Sequence, residues 1–243
     1  MTHAVVLAAG NGDRFRGPAG SHKLLHPFLG RPLLLRTIEA ARDAGVSDIT
    51  LVLGYQAASV RALVEDAGIA DVRISYVVNE NWELENGVSV MAARRRASAA
   101  RFALLMGDHI FDPAVLRRLW EAPVSAGESI LAVDTTFADP SVIDEATKVR
   151  LDGTRIVAIG KDLAEFDALD TGMFVCTPAL FDALQAAQSQ GDTTLSGGIR
   201  ELAARGMMRA FDTGGAGWCD IDTVADLEVA EAALAAVRVP VAR

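Results

Sequence analysis

The chain has 243 residues, 51% hydrophobic and 23% charged, an ordinary globular balance that excludes disorder, collagen and coiled coil. Its 23 basic and 32 acidic residues leave a formal charge of −9, so long-range electrostatics disfavour nucleic acid and a polyanionic ligand needs a local basic pocket. Uncharged apolar runs stay short of the ~18 residues of a membrane span and the first residues lack a basic export signal, so the expectation is a cytoplasmic protein that is not a membrane protein.

In chain order, apolar β-rich runs at 4–7, 49–53, 72–78, 102–106 and 130–133 alternate with helix-spaced apolar positions at 33–44, 59–67, 88–97 and 114–120. This alternation predicts an α/β protein with a mostly parallel mixed sheet layered with helices, and ligands at the carboxyl ends of the strands. Beyond residue 140 the strands shorten. Runs at 147–151 and 155–159 flank Asp152-Gly153-Thr154, a hairpin signal, and helices follow at 178–188, 195–205 and 224–237. With no low-complexity linker and no repeat, residues 1–243 read as a single domain. Cys176 and Cys219 are too few for a disulfide scaffold or zinc cluster and read as core packing.

Gly10 and Gly12 follow the first strand within Leu7-Ala8-Ala9-Gly10-Asn11-Gly12-Asp13-Arg14-Phe15. Glycines there let a loop turn its N–H groups onto phosphate, although a plain glycine turn after a strand is common. The loop lacks the Gly-Lys-Ser/Thr ending of a P-loop, and Phe15 stands where a dinucleotide fingerprint needs its third glycine. Only three of the 23 basic residues are lysine, namely Lys23, Lys148 and Lys161. A compact ammonium suits phosphate as a point charge; the competing reading is leftover surface lysines.

Two carboxylate regions complete the inventory. Asp108 ends the strand 102–106, where Mg²⁺ would find a hard oxygen ligand in the ligand crevice. The neighbouring His109 is a ligand or phosphate contact, or simply structural. Asp112, before Pro113, reads as a helix cap. Near the C-terminus Asp220 and Asp222 lie two residues apart and project to one side if extended. Asp222 has a competing role at the start of the following helix, as do Thr223 and Asp226.

The glycine loop resembles the L-A-A-G-x-G-x-R signature of the nucleotidyltransferases that join sugars and alcohols to a nucleoside monophosphate, with Lys23 at the position of their later lysine. Asp108 and Trp218-Cys219-Asp220 match two further motifs in order, while Asp13 departs from the Thr or Ser that many members carry. Within that superfamily the chain is similar to the CTP:inositol-1-phosphate cytidylyltransferases. The similarity lies in Glu85-Asn86-Gly87-Val88-Ser89, Met106-Gly107-Asp108-His109-Ile110, Ala146-Thr147-Lys148-Val149, Ile159-Gly160-Lys161-Asp162-Leu163 and Asp170-Thr171-Gly172-Met173-Phe174.

This resemblance implies a three-layer α/β/α sandwich, a Rossmann-like nucleotidyltransferase fold, with 1–120 mainly binding nucleotide and 121–243 mainly binding the acceptor and completing the metal site. It implies CTP and an alcohol phosphate as substrates and Mg²⁺ held by Asp108, Asp220 and Asp222. Lys23, Arg14 and Asp108 would be catalytic. Leu7, Ala8, Ala9, Gly10, Asn11, Gly12, Asn79, Asn86, Gly87 and Ser89 would bind nucleotide, though Asn79 also suits a turn and Asn86 a helix cap. Lys148, Lys161, Asp170, Thr171, Gly172 and His109, with Glu145 as a further candidate, would bind the acceptor. Members of the family often carry a membrane-embedded transferase domain; the expectation here is a separate membrane CDP-alcohol phosphotransferase as functional partner. Trp82, Trp120 and Trp218 read as packing, and Arg94-Arg95-Arg96 as a solvated helix face. A phosphocholine or sugar-1-phosphate nucleotidyltransferase is the rival within the enzyme class, and a non-catalytic nucleotide sensor the rival outside it.

Overall fold

A computed structural model of the chain describes residues 3–15, 22–97, 101–137 and 140–238; the Gly/Pro/Ser-containing stretch before Lys23 lies outside them. The order is β1 (His3–Ala8), a 3₁₀ turn (Lys23–Leu25), β2 (Pro27–Phe28), β3 (Arg31–Pro32), α1 (Leu33–Asp43), β4 (Asp48–Leu53), α2 (Ala57–Ala67) and β5 (Arg73–Val78). Then come α3 (Asn86–Ala92), α4 (Arg94–Ala97), β6 (Phe102–Met106), β7 (His109–Phe111), α5 (Pro113–Glu121), β8 (Ser129–Asp134) and α6 (Pro140–Glu145). The hairpin β9 (Lys148–Asp152) and β10 (Arg155–Gly160) leads to β11 (Ala168–Cys176), α7 (Ala179–Ser189), α8 (Leu195–Ala204), β12 (Met208–Asp212), β13 (Trp218–Asp220) and α9 (Val224–Arg238).

Nine strands form one mixed sheet in the order β5-β4-β1-β6-β11-β8-β12-β10-β9. The first four strands of that order are mutually parallel, and β11 runs antiparallel between β6 and β8. Alternation within β1 sorts the core into two faces. Ala4, Val6 and Ala8 pack with Leu34 and Ile38 of α1, Val60 of α2 and Leu116 of α5. Val5, Leu7 and Ala9 pack with Val90 of α3, Phe181 of α7 and Ile199 of α8. Helices therefore cover both faces, which makes the three-layer sandwich. A third cluster joins Phe15 and Phe28 to Ile221 and Leu227, fastening the glycine loop to the start of α9.

The chain leaves β1 toward β4 and β5 and then returns to place β6 on the other side of β1. The order of strands reverses there, and in open α/β sheets ligands bind outside the carboxyl ends of the strands at such a point. The glycine loop follows β1 and Asp108 follows β6, so both reach the same crevice.

Sequence and structure differ in places. The helix expected over 88–97 is two short helices, with Ala93 N bonded to Val90 O as the first tightens at its end. The periodicity missed β11, because Asp170 and Gly172 interrupt its apolar run at an irregularity in the β11–β8 register. Phe174 lies on β11 near the centre of the sheet, 1% exposed. Phe174→Ala is expected to lower the unfolding free energy by about 3–5 kcal/mol, read as a shifted urea midpoint at unchanged slope.

Candidate functional site

The loop after β1 is anchored at both ends. Ala9 O accepts from Tyr55 N at 2.9 Å, Phe15 N donates to Gly12 O at 2.8 Å, and Phe15 is buried. Gly12 has φ +63°, and a Cβ there would stand 2.9 Å from the Lys23 Cβ, so glycine gives both the turn and the room for that lysine. His22 opens the 3₁₀ turn by accepting Leu24 N on Nδ1 at 3.1 Å, which fixes where Lys23 starts.

The Lys23 side chain is 5% exposed and its Nζ lies 2.7 Å from Asp108 Oδ2 and 2.8 Å from Asp222 Oδ1. Burial opposes its charge, but the carboxylates of Asp108, Asp220 and Asp222 outweigh burial and raise its basicity. Asp108 shows the reciprocal effect: burial pushes it up, and Lys23 with His109 holds it below the usual carboxylate range. Arg14 bridges outward, with Nη2 2.6 Å from Asp222 Oδ2 and Nη1 2.8 Å from Glu145 Oε2. Asp222 thus orients both Lys23 and Arg14.

Asp220 arrives on a two-stranded ribbon in which β13 pairs antiparallel with β7, setting Asp220 opposite His109. The His109 ring occupies the space a Cβ on Gly172 (φ +73°) would fill, and its Nδ1 lies 3.0 Å from Thr171 O. Its Nε2 is 3.3 Å from Asp220 Oδ1 and 3.8 Å from Asp108 Oδ1. Burial disfavours the charged ring, yet Asp220 and Asp108 push its pKa up to about 10. Ligand atoms of Asp108, His109 and Asp220 lie within 4.8 Å of one another, a group able to hold a metal ion. Asp220 Oδ1 is buried, and beyond its 3.3 Å ion pair with His109 Nε2 it makes no aligned hydrogen bond, which leaves it suited to a hard cation.

These groups open onto a cavity of about 670 Å³ whose wall includes Arg14, Asn86, Asp108, His109, Lys161, Asp170, Gly172, Asp220 and Asp222. Other expected residues stand elsewhere. Asn79 is buried, giving Nδ2 to Ser89 Oγ and taking Asn81 N on Oδ1, so its side chain and that of Ser89 are spent inside the fold. Asn86 is at the cavity, yet its Oδ1 accepts Leu195 N of α8 at 2.8 Å, and Gly87 packs tightly on the Thr193 and Thr194 backbone. Leu7, Ala8 and Ala9 are buried, whereas Gly10 is exposed and Asn11 half-buried beside it. Thr171 is buried with its hydroxyl on Ala132 O. Lys148 donates from Nζ to Lys161 O at 2.8 Å and lies against the Phe166 ring, steadying the segment that carries Lys161.

Asp112 caps α5 through Ala114 N, and Asp226 accepts Asp222 N and Thr223 N at the start of α9. Arg94 pairs with Asp182. Cys219 and Trp218, expected as packing, line the cavity wall, because the ribbon turns the β13 segment toward the crevice. Sequence reading missed Asp134 and Ser196, which also line it. Asp134 carried a usable signal, since it ends an apolar strand as Asp108 follows one; Ser196, at a helix start, carried none.

A parallel half-sheet with a glycine loop, a paired lysine and a carboxylate cluster at its carboxyl edge defines an α/β domain with a charged crevice at the switch point of its sheet. The chain belongs to the MobA-like NTP transferase domain family, matched over residues 4–207. It is 38% identical over 233 residues to a bifunctional IPC transferase and DIPP synthase of Rubrobacter xylanophilus, covering 94% of this chain and 51% of that one. A protein of the same name from Aquifex aeolicus is 34% identical over 232 residues, covering 94% and 50%. The chain thus spans about half the length of the curated relatives it matches. Among solved structures it is similar to the inositol-1-phosphate CTP transferase from T. maritima, with TM-score 0.83 and 28% identity over 100% of this chain and 98% of that one. Among the described residues no helix is long and apolar enough to cross a membrane.

Burial pushes the Asp170 carboxyl up to about 6, against the Gly172 N–H that its Oδ1 accepts at 2.8 Å. A folded pKa above the unfolded ~3.9 makes the ionised group a cost that is full above pH 6 and absent below pH 4. Asp170→Asn, which keeps the acceptor oxygen, is expected to stabilise the chain by about 1–3 kcal/mol at pH 7.5. The gain should fade as pH falls through 6 and vanish near 4, measured by thermal unfolding across pH.

Proposed function

We propose that this chain is a Mg²⁺-dependent cytidylyltransferase that joins CTP and inositol 1-phosphate to give CDP-inositol and pyrophosphate. One observation carries the reading: a single cavity is lined by Arg14, Lys161 and the Asp108–Asp220 pair, so two cations and two clustered carboxylates share one space. That is the layout for bringing two phosphates together. Likeness to the T. maritima enzyme over the whole chain supports the choice of nucleotide and acceptor.

The chemistry is in-line attack of a phosphate oxygen of the acceptor on the α-phosphorus of CTP, with pyrophosphate leaving. The nucleophile is already ionised, so no side chain has to remove a proton. The protein's tasks are positioning and charge neutralisation. Arg14, Lys23 and the backbone of Gly10, Asn11 and Gly12 receive the β- and γ-phosphates, and Asp222 holds both cations in place beforehand. Asp108 and Asp220 would hold Mg²⁺, whose charge offsets that of the α-phosphate oxygens. In this reading Asp222, engaged by Lys23 and Arg14, orients cations rather than binding metal. Lys161 receives the acceptor phosphate and Lys148 supports it. The acceptor body lies toward Asp170, Gly172, His109 and Glu145, and the nucleoside toward Asn86 and Gly87, with Leu7, Ala8, Ala9, Asn79, Thr171 and Ser89 supporting from behind.

Residues 1–120 then serve mainly the nucleotide and 121–243 mainly the acceptor within one domain. A cytoplasmic location and a separate membrane CDP-alcohol phosphotransferase that consumes the product complete the proposal.

Pyrophosphate release with Mg²⁺, each of four nucleoside triphosphates and a panel of inositol 1-phosphate, phosphocholine and hexose 1-phosphates tests this. The expected productive pair is CTP with inositol 1-phosphate; another productive pair replaces the substrate assignment, and nucleotide binding without turnover points to a sensor. Asp108→Asn should lower kcat at least about 100-fold in a chain that still unfolds cooperatively; near-wild-type turnover would remove Asp108 from the metal pair. Lys161→Ala should raise KM for the acceptor more than KM for CTP, and the reverse ranking would move Lys161 to the triphosphate.

A further inference from the structure

Trp218 is tied down more firmly than a packing residue requires. Its Nε1 donates to Asp134 Oδ2 at 3.1 Å, and Asp134 Oδ1 accepts both Thr136 N at 2.7 Å and Thr136 Oγ1 at 2.8 Å. Both oxygens of Asp134 are engaged, so the end of β8 clamps the indole. At its backbone Trp218 pairs with Phe111 in the ribbon. Part of the side chain packs against the core on the α1 face of the sheet, yet the residue is half-buried and forms cavity wall.

Position on the strand gives this surface a use. Residues two apart in a strand project to the same side, about 7 Å apart along it. Trp218 and Asp220 stand in that relation, and both line the cavity. An aromatic plane therefore lies one pleat from the carboxylate pair, with the His109 ring centroid 6.4 Å away. Glu145, Thr147, Asp170 and Ser196 complete the wall with acceptors and hydroxyls. A rigid apolar plane sharing one cavity with groups that bond hydroxyls fits a molecule with one C–H face and an edge of hydroxyls.

We propose that Trp218 is a specificity-determining platform of the acceptor subsite: its indole takes the C–H face of a cyclic polyol phosphate, and Asp134 holds the indole in position. This rests on the cytidylyltransferase reading above and names the group that reads the acceptor's ring.

The test compares wild type, Trp218→Phe, Trp218→Leu and Asp134→Asn in steady-state pyrophosphate release, with tryptophan emission followed as inositol 1-phosphate is added. Trp218→Leu should raise KM for inositol 1-phosphate about tenfold while KM for CTP stays within about twofold, and Trp218→Phe should restore most of that loss. Asp134→Asn should fall between them. Acceptor binding should alter the emission of the wild type, and Trp218→Phe should bind the acceptor with that change gone. An unaltered acceptor KM in Trp218→Leu, or equal rises in both KM values, overturns the platform. So does an emission change that persists in Trp218→Phe, a variant that answers the question even if Trp218→Leu fails to fold. Indole-dependent use of phosphocholine in preference to inositol 1-phosphate overturns the polyol assignment, since a quaternary ammonium would then hold that face by cation–π attraction. A wild-type chain with neither turnover nor an acceptor-dependent emission change overturns both this inference and the cytidylyltransferase reading.

Discussion

An ammonium group that is 5% exposed has to be paired, and the pairing of Lys23 organises the crevice around it. Its partners come from three stretches of sequence: Asp108 after β6, Asp222 before α9, and the Gly12 backbone against which its stem lies. Removing any one would leave a buried charge uncompensated or a gap beside it. Asp222 extends the pairing to Arg14, and Arg14 extends it to Glu145. The outcome is a line of alternating charges running from the buried floor of the crevice to its mouth, with Asp220 beside it facing His109.

The sheet makes that convergence possible. Parallel strands β4, β1 and β6 deliver their carboxyl ends to one edge, and the reversal of strand order at β1 leaves a gap where the two following loops face each other. The antiparallel β11 then lies between β6 and β8 and offers the Thr171 carbonyl and the bare Gly172 backbone to the His109 ring. A side chain on Gly172 would collide with that ring. The position is thus settled by the approach of a neighbour as much as by its own left-handed backbone.

Much of this was legible in the sequence. Apolar alternation located β1, β4, β5, β6 and β8, and the caps at Asp112 and Asp226 act at the helix starts that their neighbours implied. Gly12 drew notice as a glycine after a strand, Asp108 as a carboxylate at a strand end, Asp220 by its spacing from Asp222, and Lys23 because lysines are so few in the chain. What stayed hidden depends on long-range partners. Nothing near Asn79 says that its amide will be spent on Ser89 and Asn81, and nothing near Lys148 says that it will grip the Lys161 carbonyl. Trp218 had the composition cues of a core aromatic, and its bond to Asp134 and its place in the cavity wall separate it from one. Short two- and three-residue strands such as β2, β3, β7 and β13 escape periodicity altogether, since a period of two needs more residues to register.

The ribbon of β7 and β13 joins segments nearly half the chain apart, and Asp108 and Asp220 come together only once it has zipped. The sheet strands β1, β4, β5 and β6 need none of that contact to pair with one another. Closing so large a loop is a late, entropically costly event compared with local strand pairing. During synthesis, then, the crevice exists as a shape well before it exists as a site: the nascent chain can pair its parallel strands early, while the acidic pair that would attract a divalent cation is assembled only after the final strand has emerged.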